Sequence, residues 1–387
     1  MKIAFYAPMK APDHPHPSGD REVARLLLLA LGMGEEDVIL VSRFRSWDGS
    51  GDTGRQQRLK RIGRRCAQRL MKQFDRCAPT QRPAAWVTYH LYHKAPDWIG
   101  PAVTAALNIP YLVVEASHAS KQEGGPWALG FAAAAKAIRA ADRVIALNSN
   151  DLPGLAYLRS HGVVFLPPFV SLPAPLSGKD RTANRSSLAH RYRLPTGQPW
   201  LITVAMMRED SKLASYRLLA RALRSIGDVP FTLIVIGDGP ARCHVVDAFS
   251  DFPKHRVCWL GELHPEQINR WLATADLFVW PAVNEAYGMA LLEAQACGLP
   301  VVACRTGGVP DIIQHGETGL LVDHEPTTFA QAVRRLLRDP DCRQRMGANA
   351  RRKVEAVHNI RTAHRFLHDL ILDSIAHRTR DHGVRHG

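Results

Sequence analysis

Leu277-Phe-Val-Trp-Pro-Ala282-Val-Asn-Glu285-Ala-Tyr-Gly288-Met-Ala-Leu-Leu-Glu293 joins three local patterns in one short stretch. Residues 277–282 read as a strand, 283–288 as a loop and 289–296 as a helix. A helix that starts directly after a loop offers unpaired backbone N–H groups, here those of Gly288, Met289 and Ala290, and these make a seat for phosphate oxygens. Gly288 lets the backbone approach such a ligand closely. Glu285 stands just before the helix and Glu293 about two turns above it, so two carboxylates leave one element at separate levels. They can serve two parts of one long ligand.

The same alternation of short apolar runs and helical patterns extends in both directions. Downstream of residue 199, strands are expected at 200–205, 231–237, 256–261, 277–282, 300–305 and 319–323, with helices at 213–226, 240–248, 265–274, 288–297 and 327–338. Upstream, strands are expected at 2–8, 38–43, 85–90, 111–116, 143–147 and 163–167, with helices at 20–33, 55–77, 97–107, 127–141 and 149–160. Strands alternating with helices imply βαβ units and parallel sheets. A chain of 387 residues accommodates two such cores. The expected fold is therefore α/β, with two doubly wound, Rossmann-like domains whose sheets face a central cleft. The expected divisions are a first domain over 1–170, a linker over 171–199, a second domain over 200–360, and a C-terminal helix and disordered tail over 361–387, the helix at about 361–376. The linker expectation rests on Pro, Ser and Arg content that includes Pro173, Pro175, Pro195 and Pro199.

Glu285-x7-Glu293 is followed by Ala294-Gln-Ala-Cys-Gly-Leu-Pro-Val-Val302, Thr306-Gly-Gly-Val-Pro310 and Gly316-Glu-Thr-Gly-Leu-Leu-Val322, and preceded by Ile236-Gly-Asp-Gly-Pro240. Together and in this order the motifs resemble glycosyltransferase family 4, across the second half of the chain and more faintly the first. The resemblance implies the two-domain GT-B fold and retaining transfer of a sugar from a nucleotide-sugar donor to a hydroxyl acceptor, with no required metal or other cofactor. It assigns Glu285 to the transferred sugar and Glu293 to the ribose hydroxyls. It also assigns Arg208 and Lys212, in Ala205-Met-Met-Arg208-Glu-Asp-Ser-Lys212, to the diphosphate. Two fixed cations suit a leaving diphosphate because charge grows on it as the C–O bond breaks. The family usually spaces that pair by five residues, whereas this chain has four; a solvated helix start remains the plain alternative. Leu260, in Leu260-Gly261-Glu262, resembles a residue lining the base pocket.

In the first half, Pro17-Ser-Gly19-Asp-Arg21 joins the first strand to the first helix, where the family often has a Gly-Gly pair near the donor phosphate; only Gly19 is present. His118, after the fourth strand, matches a family histidine that holds the donor sugar. Asp238 in Gly237-Asp-Gly-Pro240 reads as turn chemistry. Asp339-Pro-Asp341 reads as a helix boundary and not a metal site. His90 and His93 follow a strand, so their spacing does not ensure a shared metal.

Composition narrows the partners. Fifty Lys and Arg against 36 Asp and Glu give a formal charge of +14, which favours anionic ligands. Seven cysteines without a Cys-x-x-Cys argue for reduced thiols and a cytoplasmic setting. The apolar run ending at Pro8 is too short for a signal peptide, and no window is long enough for a membrane span. From Arg55 to Arg82 cations flank an apolar stripe of Leu59, Ile62, Cys66, Leu70, Phe74 and Cys77. That pattern suits either an anionic membrane surface, with peripheral attachment at the inner face, or packing on the first sheet. Nucleic acid is not expected, because aromatics are not interleaved with the cations.

These readings favour a glycosyltransferase acting on a glycan, lipid or small-molecule hydroxyl, as in building a polysaccharide or cell-surface glycan. A nucleotide-sugar epimerase or phosphorylase on the same scaffold, and a non-catalytic binder of anionic polymer, are the alternatives.

Overall fold

Strands covered by helices on both faces need no polar alternation, and the strands of this protein are accordingly mostly apolar, with polar residues at a few positions such as Asp37, Glu115 and Arg143. The computed structural model describes residues 1–16, 18–174 and 177–385. Pro17 of the first-loop motif, Pro175 of the expected linker and the last two residues of the expected tail lie outside them. The chain forms two units, one from Met1–Pro167 together with the segment that begins at Ile360, the other from Pro168–Asn359.

In the first unit, β1 (Lys2–Tyr6), β2 (Asp37–Ser42), β3 (Ala85–Leu91), β4 (Tyr111–Ala116), β5 (Arg143–Ala146) and β6 (Val163–Phe165) form one parallel sheet in the order β2-β1-β3-β4-β5-β6. In the second, β7 (Trp200–Val204), β8 (Thr232–Ile236), β9 (Val257–Gly261), β10 (Leu277–Val279), β11 (Val301–Cys304) and β12 (Gly319–Val322) form another in the order β12-β11-β10-β7-β8-β9. Each expected strand is present. In each sheet the winding reverses beside the first strand, between β1 and β3 and between β7 and β10. Open α/β sheets take their ligands beyond the carboxyl ends of the strands at such a reversal.

Large side chains fill the cores. Trp200, Trp280 and Tyr216 are fully or almost fully buried in the second unit. Removing a ring of this size costs about 3–5 kcal/mol. Tyr216 packs edge-on against Trp280 at 4.9 Å, so one core contact lies directly beneath the carboxyl end of β10.

Two expectations change. The stretch expected as a linker contains the helix Gly178–Tyr192, capped by Ser177, whose hydroxyl accepts from the Asp180 N–H at 3.1 Å. That helix belongs to the second unit. Arg185 donates to the Thr274 carbonyl at 2.8 Å and to Asp276 at 2.9 Å, and lies 4.2 Å over the Trp200 ring. Its Pro, Ser and Arg composition resembled a linker because cations do much of the anchoring, with Leu188 and Ala189 its buried apolar residues. The C-terminal helix runs Ile360–Arg385, beyond the expected end at 376. It returns to the first unit, where Arg378 makes a two-pronged bond to Asp142 at 3.0 and 2.9 Å.

The basic helix, Thr53–Asp75, turns its apolar stripe inward. Leu70 and Phe74 are buried in the first unit's core, with Cys66 and Met71 packed against it. The stripe is therefore used in folding, and the cations face solvent. Among the described residues no helix is long and apolar enough to cross a membrane.

Candidate active site

Three loops at the carboxyl ends of the second sheet build the site. The loop after β10 folds back tightly: Ala282 and Asn284 both have positive φ, and the Glu285 N–H donates to the Ala282 carbonyl at 3.1 Å. Ser215, from the helix Ser211–Arg224, accepts from the Val283 N–H at 2.9 Å and ties this loop to the one after β7. Gly288, at φ 74°, is the N-cap of the helix Met289–Ala296; no side chain covers the helix start. The loop after β11 closes in from the other side through the Gly308 N–H, which donates to the Ala286 carbonyl at 2.8 Å. Gly307 has φ 47°, and any side chain there would collide with the Glu285 carbonyl. Both constraints require glycine.

Within this frame Lys212 and Glu285, 73 residues apart, form a direct ion pair, each side chain less than one-fifth exposed. The Trp280 indole N–H points at the same carboxylate oxygen from 3.5 Å, at the limit of hydrogen bonding, and the Lys212 ammonium lies 5.6 Å from the centre of the indole ring. Asp210 caps the Lys212 helix by accepting from the Lys212 N–H at 2.8 Å, which fixes where that side chain starts. The result is a carboxylate and an ammonium held on an aromatic floor beside an uncapped helix N-terminus. An incoming diphosphate could take the ammonium and the backbone N–H groups, releasing Glu285 for a sugar hydroxyl.

The other expected residues fall around this core. Arg208 is half-exposed and is paired with Asp210 at 3.1 Å instead of joining Lys212 and Glu285. Glu293 is half-buried on the helix above; its charge, after burial itself, helps push the Cys297 thiol up to about 12. Leu260 stands near the carboxyl end of β9, the edge strand. Asp238 keeps to its turn, where its carboxylate accepts from the Gly239 N–H at 2.7 Å. Asp339 caps the helix Pro340–Ala356, accepting from the Cys342 N–H at 2.8 Å, as a helix boundary should. Sequence reasoning missed Trp280, Asp210 and Ser215. A tryptophan directly after a short apolar strand, at the mouth of the loop, was the available signal for the first.

In the first unit, Gly19 opens the helix Gly19–Leu31 behind the N-cap Ser18 and has open space around it. His118 follows β4, sandwiched between Phe131 at 4.8 Å and Tyr157 at 6.1 Å. Burial and the nearby Arg139 push its imidazole below the usual value, towards the neutral form. Next to Gly19, Asp20 pairs with His90 at 3.2 Å, and Glu115 approaches the same imidazole at 3.8 Å. His90 and Glu115 both have positive φ at the ends of adjacent strands, a costly backbone for non-glycine residues. Burial opposes charge on His90, but Glu115, Asp20 and Asp151 outweigh it and raise the imidazole to about 9. His90 is thus an ion-paired cation. This cluster was not expected; a charged residue inside each of two apolar strands was its only trace.

Residues 198–339 match the family described as glycosyl transferases group 1. Over 171 residues the chain is 30% identical to N-acetyl-alpha-D-glucosaminyl L-malate synthase of Bacillus anthracis, an alignment covering 44% of each protein. Over 140 residues it is 36% identical to D-inositol 3-phosphate glycosyltransferase of Corynebacterium diphtheriae, covering 35% of this chain and 33% of that one. The chain thus spans less than half the length of these curated relatives. By structure it is similar to sucrose-phosphate synthase of Thermosynechococcus elongatus, with a TM-score of 0.71 and 20% identity over 97% of this chain and 99% of that one. It is also similar to HepE of Anabaena in complex with UDP, with a TM-score of 0.71 and 15% identity over 96% of this chain and all of that one. The fold is GT-B, as expected.

Proposed function

We propose, from the match of residues 198–339 to the family described as glycosyl transferases group 1, that the protein is a glycosyltransferase taking a sugar from a nucleotide-sugar donor to a hydroxyl acceptor with retention of configuration. The observation that carries this reading is the Lys212–Glu285 pair on the Trp280 floor, beside the uncapped start of the helix Met289–Ala296. The second unit supplies the donor half. Lys212, the N–H groups at Gly288, Met289 and Ala290, and Arg208 once released from Asp210 take the diphosphate charge that grows in the transition state. Glu285 orients the sugar and Glu293 the ribose. No metal is required, because cations and helix N–H groups do the same electrostatic work.

Gly19 and His118 belong to the first unit and are assigned to the donor phosphate and the donor sugar. The Asp20–His90–Glu115 cluster suits hydroxyl groups of an acceptor, since carboxylates accept hydrogen bonds from them. The acceptor is a glycan, a lipid-linked sugar or a small polyol. An epimerase or phosphorylase gains no support from the relatives named above, one of which is itself called a glycosyltransferase. Contact of the Thr53–Asp75 helix with anionic membrane rests on charge alone, because its apolar stripe is spent in the core. Vesicle binding that survives Arg64→Glu, Arg65→Glu and Arg69→Glu together would exclude that contact.

HepE also has a structure in complex with UDP-glucose, so uridine nucleotides are the first donors to try. The full chain is incubated with UDP-glucose or UDP-N-acetylglucosamine and a panel of sugar and polyol acceptors, and products are followed by proton NMR. A new glycoside whose anomeric configuration matches the donor supports the proposal. Epimerised donor without acceptor, sugar phosphate formed on adding phosphate, or an inverted glycoside contradicts it.

A further inference from the structure

The second unit has a second concavity, at the amino ends of β10 and β11 and so on the opposite edge of the sheet from the Lys212–Glu285 pair. Its volume is about 540 Å³, within the range of small-molecule sites. Ala275 and Leu299, which lead into the two strands, form part of an apolar floor with Leu272. Three guanidinium groups line it: Arg181 and Arg270 from two packed helices, and Arg351 from the helix Pro340–Ala356.

These arginines already have structural duties, and the duties do not exhaust them. Arg181 donates to the Ala275 carbonyl at 2.7 Å, and Arg351 to the Ala296 carbonyl at 3.2 Å, each satisfying a helix C-terminus. A guanidinium has five N–H donors, so most remain on Arg181, while Arg351, which also donates to Glu355 at 2.8 Å and to the Pro173 carbonyl at 3.4 Å, keeps two. Among the described residues Arg270 bonds only neutral groups, the Asn184 side-chain oxygen at 2.9 Å and the Ser187 hydroxyl at 3.3 Å. Behind the groove Arg181 and Arg185 share one carboxylate, Asp276, at 3.6 and 2.9 Å. Arg351 has Glu355 at 2.8 Å. The one acid on the lining itself is Glu266, which is ion-paired with none of these arginines among the described residues. The cations outnumber their carboxylates around an apolar floor.

We propose that this groove binds a phosphorylated small organic molecule, its phosphate on Arg270, Arg351 and Arg181 and its carbon skeleton on Leu272 and Leu299. Arginine suits the phosphate because its planar fork matches two phosphate oxygens at once. The site is separate from the Lys212–Glu285 pair and does not depend on the transferase reading.

Isothermal titration of the full chain with glucose 6-phosphate and with inorganic phosphate tests the proposal. Glucose 6-phosphate should bind at sub-millimolar concentration, and inorganic phosphate about ten-fold more weakly, because it leaves the apolar floor unused. Arg270→Glu, a surface change, should weaken glucose 6-phosphate binding at least about ten-fold. Ala273→Trp, which fills the groove without touching a cation, should do the same, and Lys212→Ala should leave binding intact. The proposal is overturned if neither anion binds at millimolar concentration, if both groove variants bind as the parent does, or if Lys212→Ala alone abolishes binding.

Discussion

The Lys212–Glu285 pair and the His90–Asp20 pair occupy equivalent places in two different sheets. In each, one partner sits in the first turn of the helix after the first strand of the unit, and the other comes from the neighbouring strand across the reversal: β7 and β10 in one, β1 and β3 in the other. Their surroundings differ. Lys212 rests near an indole and beside an uncapped helix N-terminus, so an anion entering there meets one ammonium and several N–H groups. His90 is hemmed by carboxylates, Asp20 and Glu115 in contact and Asp151 nearby. In the proposed reading, one reversal takes the main charge of a diphosphate and the other faces hydroxyl groups. The same topology has been given two chemistries by a handful of side chains at strand ends.

Removing Glu285 tests this contrast most severely. Glu285→Ala should lower transfer by about a thousandfold while leaving nucleotide diphosphate binding within a few-fold, since it removes an interaction with the sugar and none with the phosphates. Transfer near the parent rate would remove the second unit's reversal from the chemistry. Lys212→Ala comes next, with an expected loss of about a hundredfold in kcat/KM and weaker diphosphate binding. Arg208→Ala should cost less, about ten-fold, because its guanidinium must first leave Asp210. Steady-state kinetics showing the reverse order would exchange the roles of the two cations.

The first unit's pair predicts a pH dependence in stability. The folded-state value of His90, about 9, lies above the ordinary 6.5, so its contribution is whole below about pH 6.5 and fades as pH rises through 9. Discounted for partial exposure and for coupling to three carboxylates, the loss amounts to roughly 1–2 kcal/mol. Urea unfolding at pH 6 and pH 9.5 should show it. His90→Gln should flatten that alkaline limb and leave UDP affinity unchanged. An unaltered limb would mean that His90 is not charged in the folded protein.

Local patterns made much of this legible. Apolar runs placed every strand, and Glu285, Gly288 and Glu293 stood out because strand, loop and helix follow one another within a few residues. Pairings across long separations were not legible. Lys212 and Glu285 are 73 residues apart, and nothing in either segment announces that a capped helix start and a folded-back loop will bring them together. The helix Gly178–Tyr192 was hidden because guanidinium bonds to carbonyls do much of the docking and its buried apolar patch, Leu188 and Ala189, is short. The first unit's cluster was hidden because it depends on left-handed backbone at His90 and Glu115, which residue type does not betray.

The central claim is that the reversal between β7 and β10 supplies the main seat of the nucleotide diphosphate. Hydrogen–deuterium exchange of the full chain with and without UDP measures this directly. The account predicts new protection in 205–212 and 283–293, with 88–92 unchanged. Protection confined to the first unit, or none at 283–293 under saturating UDP, would contradict it.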